Sequence, residues 1–345
     1  MIIAYACAVL LWLSLIAYAI LGGADFGAGI WDLFSLGPHQ EEKHRLIAQA
    51  VGPVWEANNV WLIYLVVGLF TAFPLATAML ATALLLPFGL ALLGIVLRGA
   101  AFSFREYFNQ PIAARETWGR LFGLVSLLTP FVLGCSAAAV ASGAIRVFHA
   151  TTQPALVSAW LTPFALVIGC MGLAICATLA PIYLTVEAQR VRNQYLAEVF
   201  RRRAFAGGAM LALTGIGGLV LAPSEAPLLW HGMLNHAIWA VAITIFIGVM
   251  TASALFWRRY RLARILIVAE VTALLGTWGL SQWPYIVPPD LTITNSASPA
   301  STLQQFFVSA LLGMLVLIPS LWFLFHTFKV QERTPMLHER EIEGD

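Results

Sequence analysis

The chain reads as an all-α, polytopic membrane protein, and three observations predict that class. Hydrophobic residues make up 60% of its 345 positions and charged ones 10%, with a mean hydropathy of +0.83; soluble domains carry about 25% charged residues. The apolar residues form long continuous runs, without the ten-residue alternation of a membrane β-barrel. The basic residues are sorted along the chain: 18 of the 19 follow odd-numbered runs, and only Arg146 does not.

A helix crosses ~30 Å of hydrocarbon with ~20 apolar residues. Nine runs qualify, at 2–23, 53–73, 75–97, 120–146, 160–186, 204–222, 234–257, 263–283 and 304–327. The sorted lysines and arginines place the N-terminus outside and the C-terminus in the cytoplasm, which requires an odd number of spans. The order suggests a first four-helix unit (1–150), a second (151–283), an outer loop (284–303), a peripheral ninth helix (304–328) and a cytoplasmic tail (329–345). The first run lacks a basic leader and is too long for a signal-peptide core, so it is read as retained.

The first run ends in a glycine-rich stretch, Gly22 to Asp32. Gly23 and Gly27 form a small-xxx-small pair that lets a second helix approach closely, and Asp25 places an acid near the cytoplasmic face. Ser35 to Ala50 is polar and reads as a turn and an interfacial helix. The second run opens on Val51-Gly-Pro-Val-Trp-Glu-Ala-Asn-Asn-Val-Trp61. Pro53 suits a first helical turn, which puts Glu56 in that turn. Glu56 and Asn59 share a face, with Trp55 and Asn58 expected close to it. Two readings of Glu56 stay open. As a plain structural residue it answers the helix dipole, worth ~0.3–1 kcal/mol, while the amides join helices. As a functional one it accepts and passes protons, since ionisable groups inside membranes are costly.

The third run ends at Arg98, followed by Gly99-Ala-Ala-Phe-Ser-Phe-Arg105-Glu106. Arg98 and Arg105 lie two turns apart, placed to pair with Glu56 or Asp25, or with lipid headgroups. The stretch from Arg190 to Arg203 reads as a solvated basic loop. Glu270, six residues past Arg264, adds a second acid ~9 Å inward. Trp283-Pro-Tyr-Ile-Val-Pro-Pro289 opens the longest outer loop. The four cysteines, Cys7, Cys135, Cys170 and Cys176, lie in apolar runs with no C-x-x-C spacing and read as core residues.

Several functions are disfavoured. The basic clusters sit at helix ends, where topology explains them, so nucleic acid is not the partner. No phosphate-binding loop, dinucleotide fingerprint or zinc spacing occurs. His39, His44 and His338 fall on the inner side, and His149 and His231 in outer loops. His236 and His326 fall at opposite ends of their helices, so no two histidines share a depth for one haem. A cation-coupled transporter using Glu56 and Glu270, or a purely structural scaffold, remain rival readings.

In their order, these motifs resemble subunit II of the cytochrome bd family of quinol oxidases over nearly the whole chain. The resemblance rests on Gly23, Asp25, Phe26, Gly27 and Gly29; on Trp55, Glu56, Asn58, Val60 and Trp61; on Arg98 with Phe102-Ser103-Phe104-Arg105; and on Trp283 to Pro288 with Asn295 to Leu303. It implies a haem-free chain paired with a subunit I that carries haems b and d and oxidises quinol. Oxygen would be reduced to water in a bacterial cytoplasmic (inner) membrane. It also implies a stabilising role, a structural quinone in some members, a small accessory subunit in some complexes, and a proton path in which Glu56 takes part. Ser103 stands where many members have an acid, and Tyr107 near where some have a lysine, which leaves Asp25, Glu106 or water to serve the intake. The short loops are similar to those of the cyanide-insensitive branch.

Overall fold

The computed structural model describes residues 1–37, 39–52, 55–107, 111–148, 151–152 and 159–331. Their backbone is almost wholly helical, as a lipid setting demands of chains that must satisfy every N–H and C=O internally. The order begins with α1 (Ile2–Leu33), α2 (Gln40–Val51), α3 (Trp55–Asn58), α4 (Val60–Ala72), α5 (Pro74–Ala83), α6 (Leu85–Tyr107) and α7 (Ile112–Ala141). It continues with α8 (Pro163–Arg190), α9 (Gln194–Glu225), α10 (Pro227–Gly232), a π-helical turn at Met233–Ala237, α11 (Ile238–Phe256), α12 (Tyr260–Gln282) and α13 (Ala300–Gln331). Two short hairpins, β1 (Val147–Phe148) with β2 (Thr151–Thr152) and β3 (Tyr285–Val287) with β4 (Leu291–Thr292), lie in the connections after α7 and α12.

Among the described residues, 8 helices are long and apolar enough to cross a membrane, or 9 when the bent pair of Glu56–Ala72 and Pro74–Ala83 counts as one span. That pair bends by 119°. The expected third span at 75–97 is therefore corrected: α5 turns away from α4, and the crossing helix is α6, starting at Leu85. The bend falls at Pro74, where the second and third runs are expected to turn; what the apolar run does not mark is the further break at Leu84 that separates α5 from α6. Other boundaries move as well. The first helix continues to Leu33, and α9 starts at Gln194, so most of the supposed basic loop is helix. His231 lies in α10 rather than in a loop. Pro53, His149 and His338 lie outside the described residues.

α1 is the central helix, packed on α4, α7, α8, α12 and α13. Its glycines make this possible. A Cβ on Gly27 would collide with the Cys176 carbonyl oxygen and come within 2.7 Å of the Ala180 methyl, so α1 and α8 touch backbone to backbone. The largest apolar core joins helices of both candidate four-helix units, from Ile16 and Ile20 of α1 through Leu179 of α8 and Phe200 of α9 to Ile267 of α12.

Local chemistry fixes the helix starts. Thr162 caps α8 by accepting the Ala165 N–H at 3.1 Å, and Glu225 from the end of α9 accepts the Phe164 N–H at 3.0 Å. The segment after α12 is tied down by Ser298, whose N–H reaches Ala72 O at 2.9 Å and whose hydroxyl reaches Thr71 O at 2.7 Å. α13 packs on α1 and α4 and is otherwise mostly exposed, in keeping with a peripheral ninth helix.

Candidate functional site

Asp25 lies in α1 with 5% of its surface exposed, a carboxyl group in the interior of an apolar bundle. Such a group needs a partner. Asn58, the last residue of α3, supplies one: its Nδ2 donates to Asp25 Oδ2 at 2.7 Å and more weakly to Leu21 O at 3.4 Å. Arg98 of α6 is equally buried and exerts its charge on Asp25. Its guanidinium rests over the Phe26 ring at 4.8 Å and the Phe122 ring at 5.2 Å. Around this pair, the Tyr18 hydroxyl, Asn58 Oδ1, Trp61 Nε1 and Arg98 Nε and Nη2 are buried without a hydrogen-bond partner among the described residues. Interior groups of this kind are served by ordered water, so the surroundings of Asp25 are chemically suited to hold it.

Seven residues further along α1, two helical turns and about 10 Å away, Asp32 is 3% exposed. It meets a base from α6 directly: Arg105 donates from Nη1 to Oδ2 and from Nη2 to Oδ1, the latter at 3.5 Å. The seven-residue spacing of Asp25 and Asp32 on α1 matches that of Arg98 and Arg105 on α6, giving two rungs of different kind: Arg98 acts on Asp25 through its charge alone, whereas Arg105 and Asp32 form an ion pair. The second rung has a third member, His44 of α2, whose Nδ1 lies 2.5 Å from Asp32 Oδ1. Arg203 of α9 closes the same end, donating to Trp31 O at 3.3 Å, Ser35 Oγ at 3.0 Å and Phe34 O at 3.1 Å.

The expected site residues are only partly brought together. Glu56 occupies the first turn of α3, but its side chain is exposed on this chain while Asn58 points inward. The expectation that both share one face is corrected: two residues along a helix are ~200° apart. Asn59 is half-buried, and Trp61 lies beside Tyr18 and Phe26. The Trp55, Glu106 and Tyr107 side chains lie outside what is described. Ser103 is half-buried in α6.

Arg98, expected at the end of the third run, lies buried within α6, and Arg105 pairs with Asp32 rather than with the expected Glu56 or Asp25. Arg201 and Arg203 also leave the solvated role assigned to their stretch. Arg201 Nε donates to Leu255 O at 2.9 Å, and the Arg203 guanidinium lies over the Trp31 ring at 5.1 Å. Glu270 turns towards α11, where its carboxyl interacts with Thr251 and lies against Gly248.

Asp32 and His44 were missed as site residues. The signal for Asp32 was present: an acid seven residues from Asp25, repeated by two arginines seven apart on a later helix.

Chemically, the arrangement offers two buried carboxylates on one helix face, each held by a fixed donor or base, with a histidine at one end and an exposed carboxylate at the other. Such a set is suited to move protons. The family profile described as "Cytochrome bd terminal oxidase subunit II" matches residues 3–328. A Bacillus subtilis (strain 168) protein named, as a provisional assignment, cytochrome bd menaquinol oxidase subunit II is 25% identical over 335 residues, covering 94% of this chain and 95% of its own length. Cytochrome bd-I ubiquinol oxidase subunit 2 of Escherichia coli (strain K12) is 23% identical over 346 residues, with 89% of each chain covered. Among solved structures, a chain of the bd oxidase from Geobacillus thermodenitrificans shares the fold, with a TM-score of 0.81 and 24% identity, over 95% of this chain and 99% of that one.

Proposed function

Because the chain belongs to the cytochrome bd terminal oxidase subunit II family, we propose that it serves as the haem-free partner of subunit I in a respiratory quinol:oxygen oxidoreductase, stabilising that subunit and carrying protons to it from the cytoplasm. Reducing oxygen to water consumes protons, and a site buried in protein receives them only through groups that exchange protons in a low dielectric. The observation that carries the reading is the single turn of α3. Its inner side donates from Asn58 to the buried Asp25, and its outer side presents Glu56. A proton brought to Asp25 is thus one helical turn from a carboxylate on the surface, and we assign that surface to the contact with subunit I.

The redox centres belong to subunit I in this account. Haems b and d supply the electron transfer and oxygen chemistry there. Among the described residues, the two histidines nearest the membrane interior are far apart along the chain's helices: His236 lies in the turn leading into α11, and His326, near the far end of α13, is stacked on Trp322 with ring centroids 5.2 Å apart. The inner end of the protein is the one that carries His44 and Arg105, which follows from the sorted basic residues. A transporter would use paired broken helices; the described residues contain one bent pair. Glu270 is assigned to the packing of α11 on α12.

The test is Glu56→Gln in the purified two-subunit oxidase. Quinol-driven oxygen uptake falls about ten-fold or more while the reduced haem spectrum is unchanged, in line with the usual value of a positioned proton carrier. Unchanged turnover removes Glu56 from the path, and loss of the whole complex from Glu56→Ala together with normal turnover in Glu56→Gln leaves it a packing residue.

A further inference from the structure

We propose that His44, with Asp32 beneath it, is the cytoplasmic proton intake of this subunit, an inference that rests on reading the chain as a proton path. His44 is the one member of the second rung with substantial contact with solvent. Its side chain is 26% exposed, against 13% for Arg105 and 3% for Asp32. It is joined to the buried carboxylate through Nδ1 at 2.5 Å, and its other ring nitrogen, Nε2, lies 3.2 Å from the exposed Gln40 amide. One nitrogen faces the outside and the other faces the interior, the geometry a shuttle needs.

The step balances simply. Nε2 takes a proton from solvent, the Nδ1–H bond breaks as a proton passes to Asp32 Oδ1, and the imidazole returns to neutrality as the other tautomer. Arg105 from α6 donates to the same carboxylate, and Arg203 from α9 stands near it.

An onward station exists on the same face. Between Asp32 and Asp25 stands Gly29, and a Cβ there would collide with the hydroxyl of Ser126 from α7. Ser126 is fully buried and donates to Phe122 O at 2.6 Å, which leaves its lone pairs free to accept. Asp25, Gly29 and Asp32 follow the i, i+4, i+7 spacing of a single helix face. A glycine between two acids thus makes room for a hydroxyl where a side chain would have sealed the gap.

The experiment uses the purified oxidase complex with three changes, His44→Ala, His44→Gln and Asp25→Asn, and follows quinol-driven oxygen uptake with and without added imidazole. The expected result is a fall of about ten-fold or more in both His44 variants, with imidazole restoring His44→Ala towards the wild-type rate and leaving the wild type unchanged. His44→Gln can keep a hydrogen bond to Asp32, so it reports on proton transfer even where His44→Ala fails to assemble. Wild-type rates in His44→Gln overturn the inference, and so does a slow, assembled His44→Ala that imidazole does not restore. The Asp25→Asn arm separates the two levels: a slow Asp25→Asn beside a normal His44→Gln removes only the intake, whereas a normal Asp25→Asn removes the proton path itself.

Discussion

Asn58 and Asp25 are joined by a 2.7 Å hydrogen bond that connects the first turn of the second span to the middle of the glycine-rich end of α1. The bond joins residues 33 positions apart, across the segment that holds α2. It also decides which way the short α3 helix faces: with Asn58 turned in, Glu56 turns out.

Replacing Asn58 by Ala leaves a buried carboxyl group without that donor. A lost partner of a buried polar group costs about 1–3 kcal/mol, more when the group is charged. Thermal unfolding of the purified complex is expected at a lower temperature in Asn58→Ala, and lower still in Asn58→Asp, which sets two acids side by side. A melting curve equal to that of the wild type contradicts the role given to this bond.

Arg105 and Asp32 form a buried ion pair, and removing one member of such a pair costs about 3–5 kcal/mol because the other charge remains. Arg105→Gln alone is therefore expected to reduce the yield of assembled oxidase sharply. Combining it with Asp32→Asn restores part of the yield, since neither buried charge is left alone. A double-mutant cycle measures the coupling, and strictly additive losses argue that the two residues act separately.

Gly27 and Gly215 make a matched comparison within two helices. A methyl group on Gly27 meets the backbone of α8, whereas one on Gly215 meets nothing within 4 Å. Gly27→Ala is expected to prevent assembly or lower its thermal stability markedly, while Gly215→Ala stabilises α9 by about 0.5–1 kcal/mol. Equal behaviour of the two variants contradicts the backbone contact between α1 and α8.

Much of this protein was legible in its amino-acid order, and the parts that were not have physical reasons. The apolar runs announced the membrane helices, because hydrocarbon thickness sets their length. Asp25 stood out since an acid in such a run is costly. The direction of Asn58 was not legible, because polar residues that fill one helical turn point to all sides of it and only the packing of α3 on α1 decides which faces inward. Asp32 was hidden because the apolar run stops at residue 23, whereas the helix continues to Leu33. A polar end can stay helical when a bundle surrounds it. His44 could not have been found without the fold, since nothing in the sequence places α2 against the end of α1. Pro74 marked the turn between α4 and α5, but the break at Leu84 falls inside unbroken apolar sequence and left no trace, so the start of the crossing helix α6 was not legible.

The central claim is that protons bound for the oxygen chemistry of subunit I travel through Asp25. It is tested most directly by mixing the fully reduced oxidase complex with oxygen and following proton uptake with a pH-indicating dye, in the wild type and in Asp25→Asn. Asn at this position keeps the shape and the bond to Asn58 but cannot carry a proton. The account predicts an unaltered haem spectrum and proton uptake slowed about ten-fold or more; uptake as fast as in the wild type contradicts it.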